Sequence, residues 1–387
     1  MKNKPIQRGI GWLFTSIYIV SMSACAESPG SKTQANSSAK QPAVIIECSN
    51  TLKDAERINE AIANSKEGSE IMICGECLIN ETIRLLDNRS YQGESRTGTI
   101  LKQADGANLD AIVASSGFLE NKPYTDSPVF IRNIHINGNR KNNTKAATAG
   151  LVMRSWLSVV EYVQIKNMGG DGIRLTNISS DGTGLKSTQV NGRIANNFIT
   201  HSGGHGVFIQ DSQNAVTDWI LSDNWIASSG KDGIHMDNAA GWYVERNHIY
   251  GVPQNAIYAH RLFGTSISNN YIEGFGETNK TGNWYGIYAS LQGDKASTIA
   301  NNRIFNFHDE KNPSSNYRYL ALSVNYDTAM VVVSDNAIQG NGTPYETGLY
   351  YDSPEDFQLD VTSKGNAVRK VGKKRFVGKN VMLNKGL

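Results

Sequence analysis

Between residues 232 and 261 the chain gathers the side chains that proton-transfer chemistry uses: Asp232, His235, Asp237, Tyr258, His260 and Arg261. An imidazole or a phenol can take or give a proton, a carboxylate can orient it, and a guanidinium can hold developing negative charge. Removal of a proton α to a uronate carboxylate needs those parts: a base for the C5 proton, a cation for the enediolate and a donor for the leaving oxygen. Return of the proton to the opposite face of the sugar gives epimerisation instead.

These residues act together only if the fold brings 235–237 beside 258–261. Both segments belong to one recurring phrase, Gly-Ile-x-Leu and its variants. It appears as Gly172-Ile173-Arg174-Leu175, Gly206-Val207-Phe208-Ile209 and Gly233-Ile234-His235-Met236. It continues as Ala256-Ile257-Tyr258-Ala259, Gly286-Ile287-Tyr288-Ala289 and Gly348-Leu349-Tyr350-Tyr351. Alternation makes each a short strand with its aliphatic residues inward and the positions between them outward. The outward pairs read Arg174/Thr176, Phe208/Gln210, His235/Asp237, Tyr258/His260, Tyr288/Ser290 and Tyr350/Asp352. The position before the Gly adds Asp171, His205 and Asp232. A face built only for structure would carry Ser, Thr, Asn, Lys and Val. The six residues of the opening cluster are therefore the expected catalytic set. Arg174, His205, Phe208, Gln210, Trp284, Tyr288 and Tyr350 are the expected sugar contacts.

A second phrase supplies the register. An Asn followed two positions later by an aliphatic residue recurs at Asn197, Asn224, Asn247, Asn270, Asn302, Asn336 and Asn366, at spacings of 27, 23, 23, 32, 34 and 30 residues. Such a period marks a solenoid, in which each repeat buries its apolar face against its neighbours. The Asn reads as a turn residue whose amide bonds its counterparts up and down the stack. Two strand phrases per coil, stacked about 4.8 Å apart, place His235 and Asp237 within one step of Tyr258, His260 and Arg261. Two coils carry insertions, Gly274–Trp284 and Phe307–Tyr319, and their aromatics Trp284, Tyr317 and Tyr319 suggest a sugar-binding wall.

Ahead of the coils, Asp54 to Ser65 reads as an amphipathic helix with Ile58, Ala61 and Ile62 on one face and Thr51 as a capping partner. Apolar runs follow at Glu70–Cys74 and Glu81–Leu86, then Tyr91-Gln92-Gly93. A helix followed by such strands resembles the N-terminal end of right-handed parallel β-helices of the pectate-lyase-like group, where the helix covers the first coil. The resemblance runs over roughly residues 44–370. It implies an all-β chain, a single-stranded right-handed parallel β-helix of about ten coils with a short capping helix, occupying 44–387.

The phrase Asp232-Gly233-Ile234-His235-Met236-Asp237-Asn238 resembles the active-site coil of bacterial mannuronan C5-epimerases, an aromatic-Gly-aliphatic-Asp-Pro-His-acid run. Asp232 stands at the aromatic position, His235 and Asp237 stand at the Asp and His positions in swapped order, and Met236 replaces the Pro. The coil Ala256–Arg261 resembles the next coil of those enzymes, where an Arg follows the strand. The resemblance implies a uronate polysaccharide lyase or C5-epimerase.

A glycoside hydrolase or transglycosidase is the alternative. Gly204-His205-Gly206 resembles the Gly-His-Gly of polygalacturonases, with Asp171-Gly172 one coil earlier, but Asn-Thr-Asp and Arg-Ile-Lys are absent. Asp171 and Asp232 are two coils apart, about 10 Å, near the roughly 6.5–9.5 Å of inverting pairs. Asp211 and Asp237 would be closer, as in a retaining pair. Asp352, four coils from Asp237 and about 19 Å away, is excluded as its partner. A third possibility is a non-catalytic glycan-binding surface protein.

Residues 1–25 read as a secretory signal, with Lys2, Lys4 and Arg8 before an apolar run. Met22-Ser23-Ala24-Cys25 resembles a lipobox, which makes Cys25 the acylated first residue of a lipoprotein held at the bacterial cell envelope; cleavage after Ala26 would secrete it instead. Residues 26–43 form a flexible tether. The chain has 38 Lys and Arg against 36 Asp and Glu, and loss of those three basic residues leaves about −1, with no nucleic-acid footprint. The only membrane contact expected is the lipid at Cys25. Cys48 is expected to pair with Cys74 or Cys77. No cofactor is expected; the outward face has room for a Ca2+ site as an alternative, but no cluster of carboxylates demands one.

Overall fold

The computed structural model describes residues 43–122, 128–144, 148–306 and 312–386. The signal segment, Cys25 and the tether up to residue 42 lie outside the described residues, as do residues 307–311 of the second inserted loop. From Val44 the chain winds through three long parallel sheets of 13, 11 and 11 strands. Helix among the described residues is confined to Asp54–Asn64, Ser116–Leu119 and the 3-10 turn Arg140–Asn142.

Each coil supplies three strands, one more than the two phrases visible in the sequence. One coil runs through Ile220–Ser222, Trp225–Ala227 and Ile234–Met236; the next runs through Tyr243–Glu245, His248–Tyr250 and Ile257–Leu262. These three positions define the first, second and third sheets. The overlooked strand is the first, which ends just before the repeated Asn.

Stacking in register lines up identical side chains inside the solenoid. On the second sheet Ile136, Ile165, Ile199, Ile226, Ile249, Ile272, Ile304 and Ile338 pair in a continuous row. All are at most 3% exposed, and burying each isoleucine contributes roughly 1.5–3 kcal/mol. This row also explains the Gly that opens the third-sheet phrase. A Cβ on Gly206 would lie 2.3 Å from Ile226 Cγ2 and 2.7 Å from the Gly233 carbonyl, so a side chain there would collide with the neighbouring coil.

The repeated asparagines form a buried ladder. From Asn197 to Asn336, the main-chain N–H and the Nδ2 of each donate to Oδ1 of the next, through Asn224, Asn247, Asn270, Asn302 and Asn336 to Asn366, at 2.9–3.2 Å. Each Nδ2 also donates to a first-sheet carbonyl one coil below; for Asn247 this is Leu221, at 2.8 Å. The residue before each rung turns the corner with positive φ: Asn196, Asp223, Arg246, Asn269, Asn301, Asp335 and Gly365. Asn, Asp and Gly tolerate that left-handed region best, which accounts for six of the seven.

The N-terminal helix closes the first coil as expected, burying Ala55, Ile58 and Ile62 with Ala61 packed beside them. Its cap is organised by buried Asp54, whose carboxylate accepts from the amides of Thr51 (2.9 Å), Leu78 (3.1 Å) and Ser49 (3.2 Å). Burial pushes the Asp54 carboxyl up, but the amides of Thr51, Ser49 and Leu78 outweigh it and hold it below the usual range. Cys48 bonds Cys77, and Cys74 is left as a buried thiol.

Removing a middle rung strands the donors below it in a dry interior. Asn247→Ala is expected to cost about 2–4 kcal/mol in denaturant unfolding, because buried amides lose their partners. Asn366→Ala, at the half-exposed last rung, also strands the donors of Asn336 but closes no rung above it, and should cost less, about 1–2 kcal/mol. Equal losses at the two positions would contradict a cooperative ladder.

Candidate active site

On the outer face of the third sheet, coil pairing sets one row of side chains in register: Arg174, Phe208, His235, Tyr258, Tyr288, Ala321, Tyr350 and Phe376. Three residues earlier on each coil a second row runs Asp171, His205, Asp232, Asn255, Tyr285 and Arg318, linked by main-chain and side-chain hydrogen bonds. A third row begins at Thr176 and Gln210, continues with Asp237 and His260, and passes to Ser290 and Ser323. The three rows lie side by side on the outer face of the third sheet, a floor of side chains that crosses the coils.

His235 is the centre of this floor. Its Nδ1 lies 2.6 Å from Asp232 Oδ2, and its Nε2 lies 3.4 Å from Asp237 Oδ1. Its ring stacks on Tyr258 at 4.9 Å and 11°, and it meets His205 at 4.6 Å and the Phe208 edge at 5.4 Å. Asp232 is itself pinned: Oδ1 accepts from both the main-chain N–H and the Nδ2 of Asn255, each at 2.8 Å. Burial opposes a charge on His235, but the hydrogen bonds and charges of Asp232 and Asp237 outweigh it and lift its pKa to about 9. At neutral pH this ring is an imidazolium.

The two other histidines differ in kind. His205 is buried, and burial brings its pKa down to about 4 despite Asp232 3.5 Å away. His260 is held below the usual imidazole value chiefly by burial, with a hydrogen bond from its ring to the main chain of Asp237 pulling the other way. The floor thus holds one charged imidazole and, two residues along the neighbouring strand, a neutral one. Tyr258 carries a phenol that burial raises to about 12, so it keeps its proton.

Toward the C-terminal coils the floor becomes aromatic. Tyr288 stacks on Tyr258 at 4.7 Å, and Phe376 stacks on Tyr350 at 4.6 Å. Ala321 leaves a gap in the row between Tyr288 and Tyr350, and the Arg318 guanidinium lies over the Tyr350 ring at 3.7 Å, with its Nη1 3.4 Å from the Tyr285 hydroxyl. Among the described residues no carboxylate pairs with Arg318.

Parallel coils in register, three sheets and an inward aliphatic core match a known architecture. The sequence model of the family described as "Right handed beta helix region" matches residues 184–374. The mannuronan C-5 epimerase AlgE4 A-module of Azotobacter vinelandii has a similar structure, at 15% identity and a TM-score of 0.53, covering 87% of this chain and 96% of that one. The fold is a right-handed parallel β-helix. An alginate lyase from Paenibacillus sp. str. FPU-7 shares this β-helix at 12% identity and a TM-score of 0.50, covering 87% of this chain and 98% of its own. A polygalacturonase from Erwinia carotovora ssp. carotovora does so at 11% and 0.54, covering 89% and 97%. No curated protein matches the chain by sequence.

The β-helix brings Asp232, His235, Asp237, Tyr258 and His260 together on two adjacent coils, with Tyr288 one coil on. Arg261 is turned aside: it sits at a bulge with positive φ, and its Nε donates to Gln292 at 2.7 Å. His205 is a buried prop rather than a surface contact, and Arg174 is bound to Asp171 at 2.6 and 2.9 Å. Gln210 bonds Thr176 at 3.2 Å, and Tyr350 donates to Asp352 at 2.9 Å. The expected aromatic wall is corrected. Tyr317 and Tyr319 are buried, Tyr319 occupying the place that Gly takes in other coils, and Trp284 packs against the core. Asp211 does approach Asp237, whose Oδ2 accepts from the Asp211 main-chain N–H at 3.3 Å, but the Asp211 carboxylate is itself taken up by the amides of Gln213, Ala215 and Val216.

Asn255, Tyr285 and Arg318 escaped the sequence reading. The position that exposed Asp171, His205 and Asp232, continued up the stack, would have found them. His205, Asp232 and His235 each bring a ligand atom within 4.8 Å of the others, as a metal site would require. Two imidazoles and one carboxylate do not make the oxygen cage of Ca2+, and a hydrogen bond already joins His235 to Asp232.

The raised His235 pKa makes a linkage prediction. Its stabilisation, on the order of 3 kcal/mol, should be complete below the unfolded value of about 6.5 and fade as pH rises through about 9. NMR titration of the ring should place its midpoint near 9, and Asp232→Asn should move that midpoint down. A wild-type midpoint near 6.5 would refute the charged assignment.

Proposed function

We propose that this floor lines the substrate groove and active site of a uronate polysaccharide lyase. The observation that carries this reading is the imidazolium of His235 stacked on the phenol of Tyr258, with the neutral imidazole of His260 two residues farther along Tyr258's strand. The cation lowers the cost of an enediolate forming at a bound uronate carboxylate. His260 removes the C5 proton. The C4–O bond then breaks, its electrons leave with oxygen, and Tyr258 protonates that oxygen, leaving a C4=C5 double bond. His260 loses its proton to solvent and the tyrosinate regains one.

Base and acid both rise from the groove floor, so proton removal and delivery occur on the same face of the sugar. That arrangement favours elimination over epimerisation, which needs a donor on the opposite face. Tyr288 and Tyr350 would pack against neighbouring sugars, and Arg318 would bind a carboxylate farther along the chain. Three fold neighbours carry names that refer to mannuronan, alginate and polygalacturonan, all polyuronates, and this supports the substrate class. Hydrolysis is less well supported. Both oxygens of Asp232 are engaged, and Asp171 is bound to Arg174 and to the His205 amide, so neither is free to serve as acid or base. A lipid at Cys25 would hold the enzyme at the cell envelope.

Incubation with alginate, polygalacturonate and other polyuronates should generate ultraviolet-absorbing unsaturated ends. His260→Ala and Tyr258→Phe should each lower the rate by about 10²–10⁴-fold with little change in melting temperature. New reducing ends without unsaturation would instead mean hydrolysis and overturn the proposal.

A further inference from the structure

The second sheet faces a different direction from the groove, and its outer row is not that of a merely structural coil. Phe198, Trp225, His248, Tyr271 and Arg303 stand in register on five consecutive coils, followed by Ala337 and Ala367. The rings touch one another throughout: Phe198 on Trp225 at 6.1 Å, Trp225 on His248 at 4.1 Å, and His248 on Tyr271 at 4.5 Å. Trp225 is 39% exposed, and Tyr250 beside it is 43% exposed. Solvent-facing aromatic side chains in line over four coils provide a strip about 14 Å long.

Beyond the strip the surface dips. The two alanines leave a recess of 450 Å3 whose walls include Arg303, Phe305, Gln339 and Arg369. Among the described residues its lining has two exposed guanidiniums and no carboxylate. The Arg303 guanidinium lies 5.7 Å from the Tyr271 ring centre, so strip and recess are continuous. Glu273, the acidic group of this face nearest the strip, is already bonded to His248 at 3.1 Å.

We propose that this face is a second, non-catalytic glycan site that takes a polyuronate chain. Aromatic side chains offer apolar surface to the C–H faces of sugar rings, and paired guanidiniums bind carboxylates by charge-assisted hydrogen bonds. A neutral glycan would leave the guanidiniums unused, and an apolar partner would leave them uncompensated. The two sites share a polymer class, since the proposal rests on the polyuronate reading of the groove, but they share no residue. Together they let the enzyme hold one strand while another lies in the groove, which raises the local concentration of polymer.

Native-gel electrophoresis of the full chain through alginate, polygalacturonate or dextran tests this. Wild-type protein should be retarded by both polyuronates and not by dextran. Trp225→Ala and the double variant Arg303→Gln/Arg369→Gln should each weaken retardation by about tenfold in apparent affinity with unchanged melting temperature. His235→Ala, in the groove, should still be retarded. Wild-type migration of both second-sheet variants would overturn the proposal. If the groove reading alone is wrong, no unsaturated ends form, yet retardation still depends on Trp225 and Arg303.

Discussion

Everything in this molecule rests on how one coil is held against the next. Main-chain pairing alone leaves a parallel strand free to slip, and a slip of one residue would turn every outward side chain inward. The buried asparagines prevent it. Each rung is satisfied only when its counterpart one coil away sits at the same height, because its oxygen receives two donors from one neighbour while its second proton reaches a first-sheet carbonyl. An offset would leave amides unpaired in a dry interior, at a cost that aliphatic packing could not recover. The isoleucine row follows the same register and adds the bulk of the apolar stabilisation.

Fixed register is what turns scattered residues into a site. His235 and Tyr258 are 23 residues apart in sequence, yet their rings are stacked because their strands are paired partners. The arrangement of these side chains is therefore fixed by the fold itself, as a preorganised site requires. The electrostatics follow from the same scaffold. Asp232 is held by Asn255, one coil up, and in turn keeps His235 charged, whereas His260, with less support, stays neutral. Two imidazoles of identical intrinsic chemistry are driven apart by the coils that carry them.

The fold was largely legible because a solenoid repeats its instructions. The Asn phrase, the Gly-aliphatic-x phrase and the capping helix all appear where the sequence places them. What escaped was the third strand, whose residues Ile220–Ser222 and Tyr243–Glu245 carry no invariant mark of their own. In the site, the outward row from Arg174 to Tyr350 could be read from alternation alone. Arg261 could not, because a bulge after Ala259 breaks the alternation and swings the side chain toward Gln292. Tyr317 and Tyr319 misled for a related reason: in their coil an aromatic replaces the inward Gly, so their faces point into the core. The middle residues of the Asn phrase, Phe198, Trp225, His248 and Tyr271, were in view from the start as parts of an architectural motif. Only stacking shows that they share one face.

The unequal coil lengths have a kinetic meaning. The ladder spacings of 23 residues, from Asn224 to Asn247 and from Asn247 to Asn270, bracket His235 and Tyr258, while the next two spacings are 32 and 34. Closing a shorter loop costs less chain entropy, here by about 0.3 kcal/mol per coil between 23 and 34 residues. The difference is small, but it always favours the same place. In a solenoid, where growth proceeds by adding a coil to an existing edge, the tightest turns are the cheapest to form first. The coils that carry His235 and Tyr258 are thus the ones that chain entropy closes most cheaply.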